Sequence, residues 1–500
     1  MKFKTLFLFF SLIVSSADDF KDLSTKEFNE LVNSTDNLEE LYFSYIDYLE
    51  ANDSEVNSIV SLYSSSDLKF EYVNADQLGL NGVPILIKDN IDSVGLPNTA
   101  GSLALQNNLP RNDSQIVSKL KKAGLVVVGK ANLSEWANFR GNPSSSGWSS
   151  FGGQTNNPYN LEYNPCGSSS GSAAAVAEGL VPLAIGTETN GSISCPASSN
   201  GVVGIKPTVG LVSRDGIIPI SATQDTAGPM ARSVLEAAKV LKAISGYDPK
   251  DSATKNIPDN YDYDALINLT NQSLENKNIG LLIKDEMSGV EVELLNKTQR
   301  ILENLGANVQ RVSFEVVSDY KFEDEYYLLL YEFQEGIEKY LKSSNSMRKS
   351  LNDLIDFNEE NSEKVLKHFG HEIFLDSIQA TDKERYIKSR DLVVTRARNQ
   401  IDTLILENGL DALVGLTRNP VWKTDHINGD SRTSNEGLNF GNGGLSAVAG
   451  YPHITIPLDF VNGLPVGVSF LGGAWEEAKI INFAFSFEQE NNFFPRPSRN

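Results

Sequence analysis

The stretch Gly179–Pro196, GLVPLAIGTETNGSISCP, passes from an apolar run into a series of small and polar residues. Its second part, Gly186–Pro196, contains two glycines, two threonines, two serines and a cysteine, and its only charged residue is Glu188. Residues this small either form a flexible tip or allow the backbone to wrap closely around a bound group. The sequence on either side decides between these two interpretations.

Short β-branched runs flank this stretch and alternate with alanine-rich segments. LVVVG (125–129) and GVVGIKP (201–207) are typical of strands, and strand patterns return near the C-terminus in HITIPLDF (453–460) and PVGVSFLG (465–472). Alternation of strands and helices indicates α/β architecture. No repeat or low-complexity linker divides the chain, so we expect one large domain that closes with a helix over Trp475–Glu490.

The region 256–400 is rich in Glu, Lys, Asn, Leu and Tyr at helical spacing. We expect it to be mainly helical, with KNIGLLI (277–283) and ANVQRVSFE (307–315) as strands. The chain as a whole is divided into three parts: a signal peptide (1–17), an N-terminal helical arm (18–75) and a main domain (76–500) that contains the helical region.

The N-terminus has the three parts of a secretory signal peptide. Lys2 and Lys4 form a charged region, Leu6–Val14 is an apolar run, and Ser15–Ala17 resembles a cleavage site. The run is far shorter than the ~18 apolar residues of a transmembrane span, so a membrane helix is not expected. The alternative to a signal peptide is a buried N-terminal helix. We expect a periplasmic or secreted protein with no membrane attachment after cleavage.

Composition and charge exclude several classes of protein. The 500 residues are 40% hydrophobic and 22% charged, which excludes a disordered chain. A formal net charge of −22 repels nucleic-acid phosphates, so we expect no nucleic-acid partner. The two cysteines, Cys166 and Cys195, are too few for a disulfide-stapled fold or a zinc-type site, and we predict no metal.

Several common catalytic motifs do not fit this sequence. GSSSG (167–171) fits the G-x-S-x-G pattern with Ser169 as the apparent nucleophile, but that motif requires a strand directly before it, and NNPYNLEYNP (156–165) is loop-forming. The same loop lacks the Gly-Lys-Ser/Thr of a phosphate-binding loop. Only four histidines could serve as a catalytic base.

A lysine can act as the base for a serine nucleophile when burial lowers its pKa. Lys88 ends the apolar run VPILIK (83–88), where its ammonium group would be poorly hydrated. The alternative is a structural lysine paired with Asp89, and the run alone does not exclude it.

Three segments in order resemble the amidase signature family: VPILIKDNI (83–91), the long stretch from PCGSSSGS to GLVSR (165–214) and QDTAGPMARSV (224–234). The sequence of these segments is most similar to that of bacterial peptide amidases, which remove the terminal amide of C-terminally amidated peptides. The resemblance implies an α/β amidase-signature fold, with a mixed twisted β-sheet sandwiched between α-helices, and no cofactor.

The resemblance also implies a catalytic triad. Ser192 matches the nucleophile, Ser168 matches the serine that follows a cis peptide bond and relays the proton, and Lys88 matches the general base. On this basis we expect the small residues of the opening stretch to be functional.

The backbone N–H groups of Thr189, Asn190, Gly191 and Ser192 are expected to form the oxyanion hole. Many family members have Gly-Gly-Ser-Ile-Arg where this chain has Asn190–Ser194, NGSIS, and this difference affects substrate choice more than chemistry. Glu188 is expected to be structural and to bind backbone around the turn.

The loop NPSSSGWSSFGGQTNNPYN (142–160) is too polar for a core and is expected to lie over the site, with Trp148 and Phe151 as possible substrate contacts.

The expected reaction is hydrolysis of a small amide or amidated peptide to an acid and ammonia through an acyl-enzyme. The alternatives are an amidotransferase A-like glutaminase, a general aliphatic or aryl amidase, and a catalytically silent amide-binding protein, which would lack a triad member. We expect a monomer or homodimer.

The two cysteines flank the serine loops, so they are expected to be close to each other. Cys166 lies two residues before Ser168 and Cys195 three residues after Ser192, and such offsets along diverging chains can direct the side chains apart. The prediction is two buried free thiols.

Overall fold

The computed structural model describes residues 20–68, 78–270, 273–313, 322–430 and 443–498, so the signal peptide predicted over residues 1–17 lies outside the described residues. The α-helices of the described residues are α1 Thr25–Ser34, α2 Leu38–Asn52, α3 Gln115–Lys122, α4 Ser170–Glu178, α5 Ser194–Ser199, α6 Val234–Ile244, α7 Gly289–Asn304, α8 Phe322–Ser343, α9 Leu351–Glu360, α10 Ser362–Val365, α11 Glu372–Gln379, α12 Lys383–Glu407, α13 Gly443–Ala449 and α14 Glu477–Asn491. The strands are β1 Ile59–Leu62, β2 Pro84–Lys88, β3 Val126–Ala131, β4 Trp148–Ser149, β5 Gly153–Gln154, β6 Leu183–Glu188, β7 Val203–Lys206, β8 Thr226–Ala231, β9 Asn278–Ile283, β10 Asn308–Ser313, β11 Ala412–Leu416, β12 His453–Val461 and β13 Leu464–Leu471.

Within the described residues, eleven strands form one mixed sheet. Their order is β1-β3-β2-β6-β8-β7-β12-β13-β11-β9-β10, and β4 and β5 form a separate two-stranded ribbon. Strand β2 runs parallel to β3 and β6, and β9 runs parallel to β10 and β11. The other pairs are antiparallel.

Helices cover both faces of this sheet. In β2, Ile85 and Ile87 belong to a core that includes residues of α3, α6, α7 and α14, whereas Leu86 belongs to a core with residues of α1, α2, α4 and α5. Because successive side chains of a strand point to opposite faces, this division places β2 between two helical layers. The predicted fold, a single α/β domain with a mixed sheet between helices, is confirmed.

The N-terminal helices are anchored to the body of the protein. Ser24 and Glu27 form a capping box at the start of α1. Phe28 is fully buried and packs edge-on against Tyr45, whose hydroxyl donates to the carbonyl of Leu180 at 2.8 Å. This contact ties the helices to the segment that leads into β6.

The strand predicted over 277–283 is present as β9, and the predicted closing helix is present as α14. The strand predicted over 307–315 is present as β10, and its last two residues lie outside the described residues. Helices α8, α9 and α11 share a third core with Trp136, Phe139 and Ile218. The start of α8 lies beside the turn that follows β6, where Asn190 is hydrogen-bonded to Glu325. No helix in the described ranges is long and apolar enough to cross a membrane.

We predict that Phe28→Ala lowers the free energy of unfolding by about 3–5 kcal/mol, because it leaves a cavity among buried aromatic rings. Urea unfolding followed by circular dichroism measures the change. Phe43→Ala on α2, where the ring is 55% exposed, is the matched control and should change stability by less than about 0.5 kcal/mol. Equal effects of the two substitutions would contradict the packing described here.

Candidate active site

Lys88 lies at the carboxyl end of β2 and is completely buried. Its Nζ lies 2.7 Å from Ser168 Oγ and 3.1 Å from Ser169 Oγ. It also donates to Thr187, at 2.9 Å to the hydroxyl and 3.2 Å to the carbonyl. The lysine is therefore held among hydroxyl and carbonyl oxygens and contacts both Ser168 and Ser169 of GSSSG.

Burial lowers the pKa of Lys88 to about 7, although the negative charges of Asp225 and Glu188 act in the opposite direction. The alternative pairing with Asp89 is excluded, because Asp89 pairs with Lys130 at 3.2 Å and both side chains are buried. No carboxylate of the described residues lies within hydrogen-bond distance of Lys88 Nζ. Such a lysine is suited to lose its proton near neutral pH.

The loop that carries Ser168 is tightly packed. The peptide bond between Gly167 and Ser168 is cis, as the family resemblance implies. A Cβ added to Gly167 would lie 2.2 Å from Ser134 Oγ, and one added to Gly171 would lie 2.2 Å from the carbonyl oxygen of Ser58. Both positions therefore require glycine.

Residues 155–169, all of them described, contain no strand, and helix α4 begins at Ser170. The strand-turn-helix setting that G-x-S-x-G requires is thus missing, as expected.

The turn after β6 carries Ser192 and is held by a buried carboxylate. Glu188 Oε2 accepts hydrogen bonds from the N–H groups of Ile193 at 2.7 Å and Ser194 at 2.9 Å. Gly191 adopts φ of +84°, a conformation that side-chain-bearing residues rarely adopt. The structural interpretation of Glu188 is confirmed, since its carboxylate fixes the start of α5.

The two serine loops meet at the backbone. The N–H of Ser169 donates to the carbonyl of Ser192 at 3.1 Å. Ser192 is 8% exposed, Thr189 and Gly191 are partly exposed, and Asn190 is exposed. The nucleophile candidate therefore borders an open region at the predicted oxyanion turn.

Two carboxylates that sequence reasoning missed flank this turn. Thr189 Oγ1 donates to Asp225 at 2.6 Å, and Asn190 Nδ2 donates to Glu325 at 2.9 Å. Burial raises the pKa of Asp225 to about 6 and also raises the pKa of Glu325. Asp225 lies in the quoted motif QDTAGPM, which could have indicated it, whereas Glu325 belongs to the helical region and had no local signal.

A cavity of about 440 Å³ adjoins this turn. Its lining includes Thr189 and Asp225 together with Glu332 and Tyr386 of helices α8 and α12. The helical region thus contributes directly to the cavity beside Thr189 at the start of the turn.

The loop predicted to cover the site is only partly open to solvent. Trp148 is buried, with its ring packed edge-on against His368 and Phe369. Phe151 is partly buried. Packing alone explains the position of Trp148, and substrate contacts for both residues stay predictions.

No histidine is hydrogen-bonded to Ser168, Ser169 or Ser192, all of which lie in the described part of the chain. His453, for example, is fully buried and contacts Ser469 at 2.7 Å. The described residues also include no group of three or more His, Cys, Asp or Glu side chains that could hold a metal ion.

The prediction of two free thiols is wrong. Cys166 and Cys195 form a disulfide with Cα atoms 6.0 Å apart. Cys195 lies in the first turn of α5, and the backbone at Cys166 adopts a left-handed conformation with φ of 56°, so the two side chains meet instead of diverging. The bond joins the loop of Ser168 to the helix that follows Ser192.

The buried Lys88 thus contacts the hydroxyls of Ser168 and Ser169, and the backbone of Ser169 is hydrogen-bonded to that of Ser192 on the glycine turn. The protein-family model described as Amidase matches residues 40–481. The chain belongs to the amidase signature family and is an amidase.

Solved structures and curated relatives agree with this assignment. The native peptide amidase from Stenotrophomonas maltophilia is 40% identical, with a TM-score of 0.86 over 95% of this chain and 98% of that one. A complex of the peptide amidase PAM with the competitive inhibitor chymostatin has a TM-score of 0.87 at 40% identity, over 96% and 100% of the two chains. The glutamyl-tRNA(Gln) amidotransferase of Thermoanaerobacter pseudethanolicus has an A subunit that is 31% identical over 91% of this chain and 93% of its own length.

We predict that the denatured, non-reduced protein has no titratable thiol and a mass two hydrogens below that of the reduced chain, because its two cysteines are joined. Thiol titration and intact-mass spectrometry before and after reduction measure this. Two titratable thiols without reductant would show that the loops are not covalently joined.

Proposed function

We propose that the protein hydrolyses carboxamides to an acid and ammonia through an acyl-enzyme, with Ser192 as nucleophile, Ser168 as proton relay and Lys88 as general base. The observation that carries this proposal is the 2.7 Å contact between Lys88 Nζ and Ser168 Oγ in a fully buried setting. A neutral lysine there can accept a proton from Ser168 as Ser168 takes the proton of Ser192.

The reaction then proceeds in two halves. Ser192 Oγ attacks the amide carbonyl carbon, and the tetrahedral intermediate collapses as the relayed proton reaches the departing nitrogen, which leaves as ammonia. A water molecule enters, gives its proton to the same relay and attacks the acyl-enzyme, and this step releases the acid and restores Ser192.

The N–H groups of Thr189, Asn190, Gly191 and Ser192 are proposed to bind the oxyanion. The turn that carries them is supported from several sides, by Glu188 on its C-terminal side and by Asp225 and Glu325 through the side chains of Thr189 and Asn190. Such fixed donors need little rearrangement when charge develops on the carbonyl oxygen, which is how they accelerate acyl transfer.

C-terminal peptide amides are the proposed substrates. The support is the 40% identity to a peptide amidase along nearly the whole chain, together with the inhibitor complex of PAM. An amidotransferase-type glutaminase is the second candidate, supported by 31% identity to an A subunit. The net charge of −22 argues against a tRNA-dependent role, because it repels nucleic acid.

Export to the periplasm or the cell exterior is also proposed. The supporting observations are the signal-peptide pattern of residues 1–17 and the disulfide between Cys166 and Cys195, since disulfides persist mainly in oxidising compartments. N-terminal sequencing of protein recovered outside the cytoplasm tests this, and a mature chain that begins near Asp18 is the expected result.

Ammonia release from an amidated dipeptide, free glutamine and a simple aliphatic amide distinguishes the candidate substrates. Preference for the amidated dipeptide in kcat/KM is the expected result. A preference for glutamine would favour the glutaminase alternative, and equal rates on all three would indicate a general amidase.

We predict that Ser192→Ala lowers kcat by ~10³-fold or more, because it removes the nucleophile. Ammonia release measures the activity, and circular dichroism verifies that the variant is folded. His426→Ala is the control and should retain activity, because the proposed mechanism uses no histidine. Wild-type activity in Ser192→Ala would transfer the nucleophile role to another residue.

We predict that kcat/KM falls on the acid side with an apparent pKa near 7, because Lys88 is a base only when neutral. Below that pH the neutral fraction of Lys88 decreases about tenfold per pH unit. Above it, protonation of Lys88 no longer lowers the rate. Lys88→Ala should lose most activity at every pH. A rate that is constant from pH 5 to 9, with an active Lys88→Ala variant, would overturn the assignment.

A further inference from the structure

We propose that Arg418 is a specificity residue that binds a carboxylate on the acyl side of the substrate, so that amidated peptides ending in Asp or Glu are preferred. This inference rests on the proposed function and adds a substrate class to it. Arg418 lies two residues beyond the end of β11, in the loop that follows that strand.

The position of Arg418 relative to the oxyanion turn is the first observation. Its Nη1 lies 3.8 Å from the point where a Cβ on Gly191 would stand. Within the described chain, and apart from the neighbours of Gly191 in sequence, no other heavy atom lies within 4 Å of that point. Arg418 therefore faces the open space directly beside the turn that is proposed to hold the scissile carbonyl.

The charge of Arg418 is the second observation. Among the described residues it forms no ion pair, and its guanidinium lies over the ring of Trp422 at 5.7 Å. Its side chain is exposed, yet the surrounding protein lowers its pKa by desolvation while Asp430 opposes this effect. An arginine remains charged in such surroundings, and its guanidinium N–H donors stay available for a ligand.

The carboxylates around the site are occupied by other groups. Glu188 holds the N–H groups after Ser192, and Glu325 accepts from Asn190 and from Gln224. Asp430, the acid that acts on Arg418, accepts from the N–H of Ser146 at 3.0 Å and from Trp422 Nε1 at 3.2 Å. Arg418 is thus a positive group beside the turn that forms no ion pair with a described residue and can bind an incoming anion.

A carboxylate is the ligand that suits this group best. The planar guanidinium fork matches a carboxylate in two parallel hydrogen bonds, and these are stronger than bonds to a neutral carbonyl. A side-chain carboxylate of a C-terminal Asp or Glu amide lies one or two methylenes from the Cα that bears the scissile carbonyl. Such a group can reach Arg418 while the carbonyl occupies the turn.

The test compares two substrates of similar length, N-acetyl-Ala-Glu-amide and N-acetyl-Ala-Met-amide, on the wild-type enzyme and on Arg418→Gln. We expect kcat/KM for the Glu amide to fall by about ten- to a hundredfold in Arg418→Gln, the size expected for a lost charged hydrogen bond, and kcat/KM for the Met amide to change less than about threefold. Arg418→Lys should recover part of the loss. Added salt should reduce the preference for the Glu amide in the wild type only.

Arg300→Gln on α7 is the matched control for the change in net charge, since Arg300 is exposed and lies outside the proposed site. It should leave both rates unchanged. An equal loss on both substrates in Arg418→Gln would overturn the proposal and assign Arg418 to the carbonyl itself, and unchanged rates would overturn it as well. Hydrolysis of the Met amide by the wild type reports on peptide amidase activity separately, so a failure of the proposed function would be recognised independently.

Discussion

The desolvation of one lysine is the constraint on which the site depends. Lys88 ends a strand whose five residues are all buried, so its ammonium loses nearly all contact with water. The oxygens of Ser168, Ser169 and Thr187 surround it, and no carboxylate among the described residues lies at hydrogen-bond distance to stabilise the charge. Asp89, the adjacent acid, is bound to Lys130 instead, so it does not pair with Lys88.

The same constraint explains the density of small residues around the lysine. Serine loops can approach a buried amine closely only where glycines and short side chains leave room, as at Gly167 and Gly171. The covalent bond between Cys166 and Cys195 then limits how far the loop of Ser168 can separate from the turn of Ser192. The hydrophobic layers, the close packing of the loops and the disulfide therefore all constrain the same small site around Lys88, Ser168 and Ser192.

In the proposed function, chemistry and selectivity arise from different parts of the chain. The catalytic candidates lie at the end of β2 and in the loops before α4 and α5, within the segments that resemble the family. Residues from other parts of the chain also surround the turn: Glu332 on α8 and Tyr386 on α12 help to line the adjoining cavity. Glu325 on α8 binds Asn190, and Arg418 after β11 lies beside Gly191. Such an arrangement would allow the substrate preference to change while the proposed proton relay is kept.

The family resemblance supplied the serine and lysine candidates, whereas the sequence by itself determined the α/β class and the structural role of Glu188. These features depend on local patterns: apolar runs set the strands, and glycine and serine clusters mark the turns. The cis bond before Ser168 followed only from the family resemblance.

Only the tertiary structure decided which side chains meet. Sequence separation could not show that Cys166 and Cys195 point at each other, because the left-handed backbone at Cys166 and the first turn of α5 set their directions. It also could not place Glu325 on Asn190, 135 residues away in the chain, or Arg418 beside Gly191. Such contacts depend on how helices and loops pack across the sheet, and no local pattern encodes that geometry.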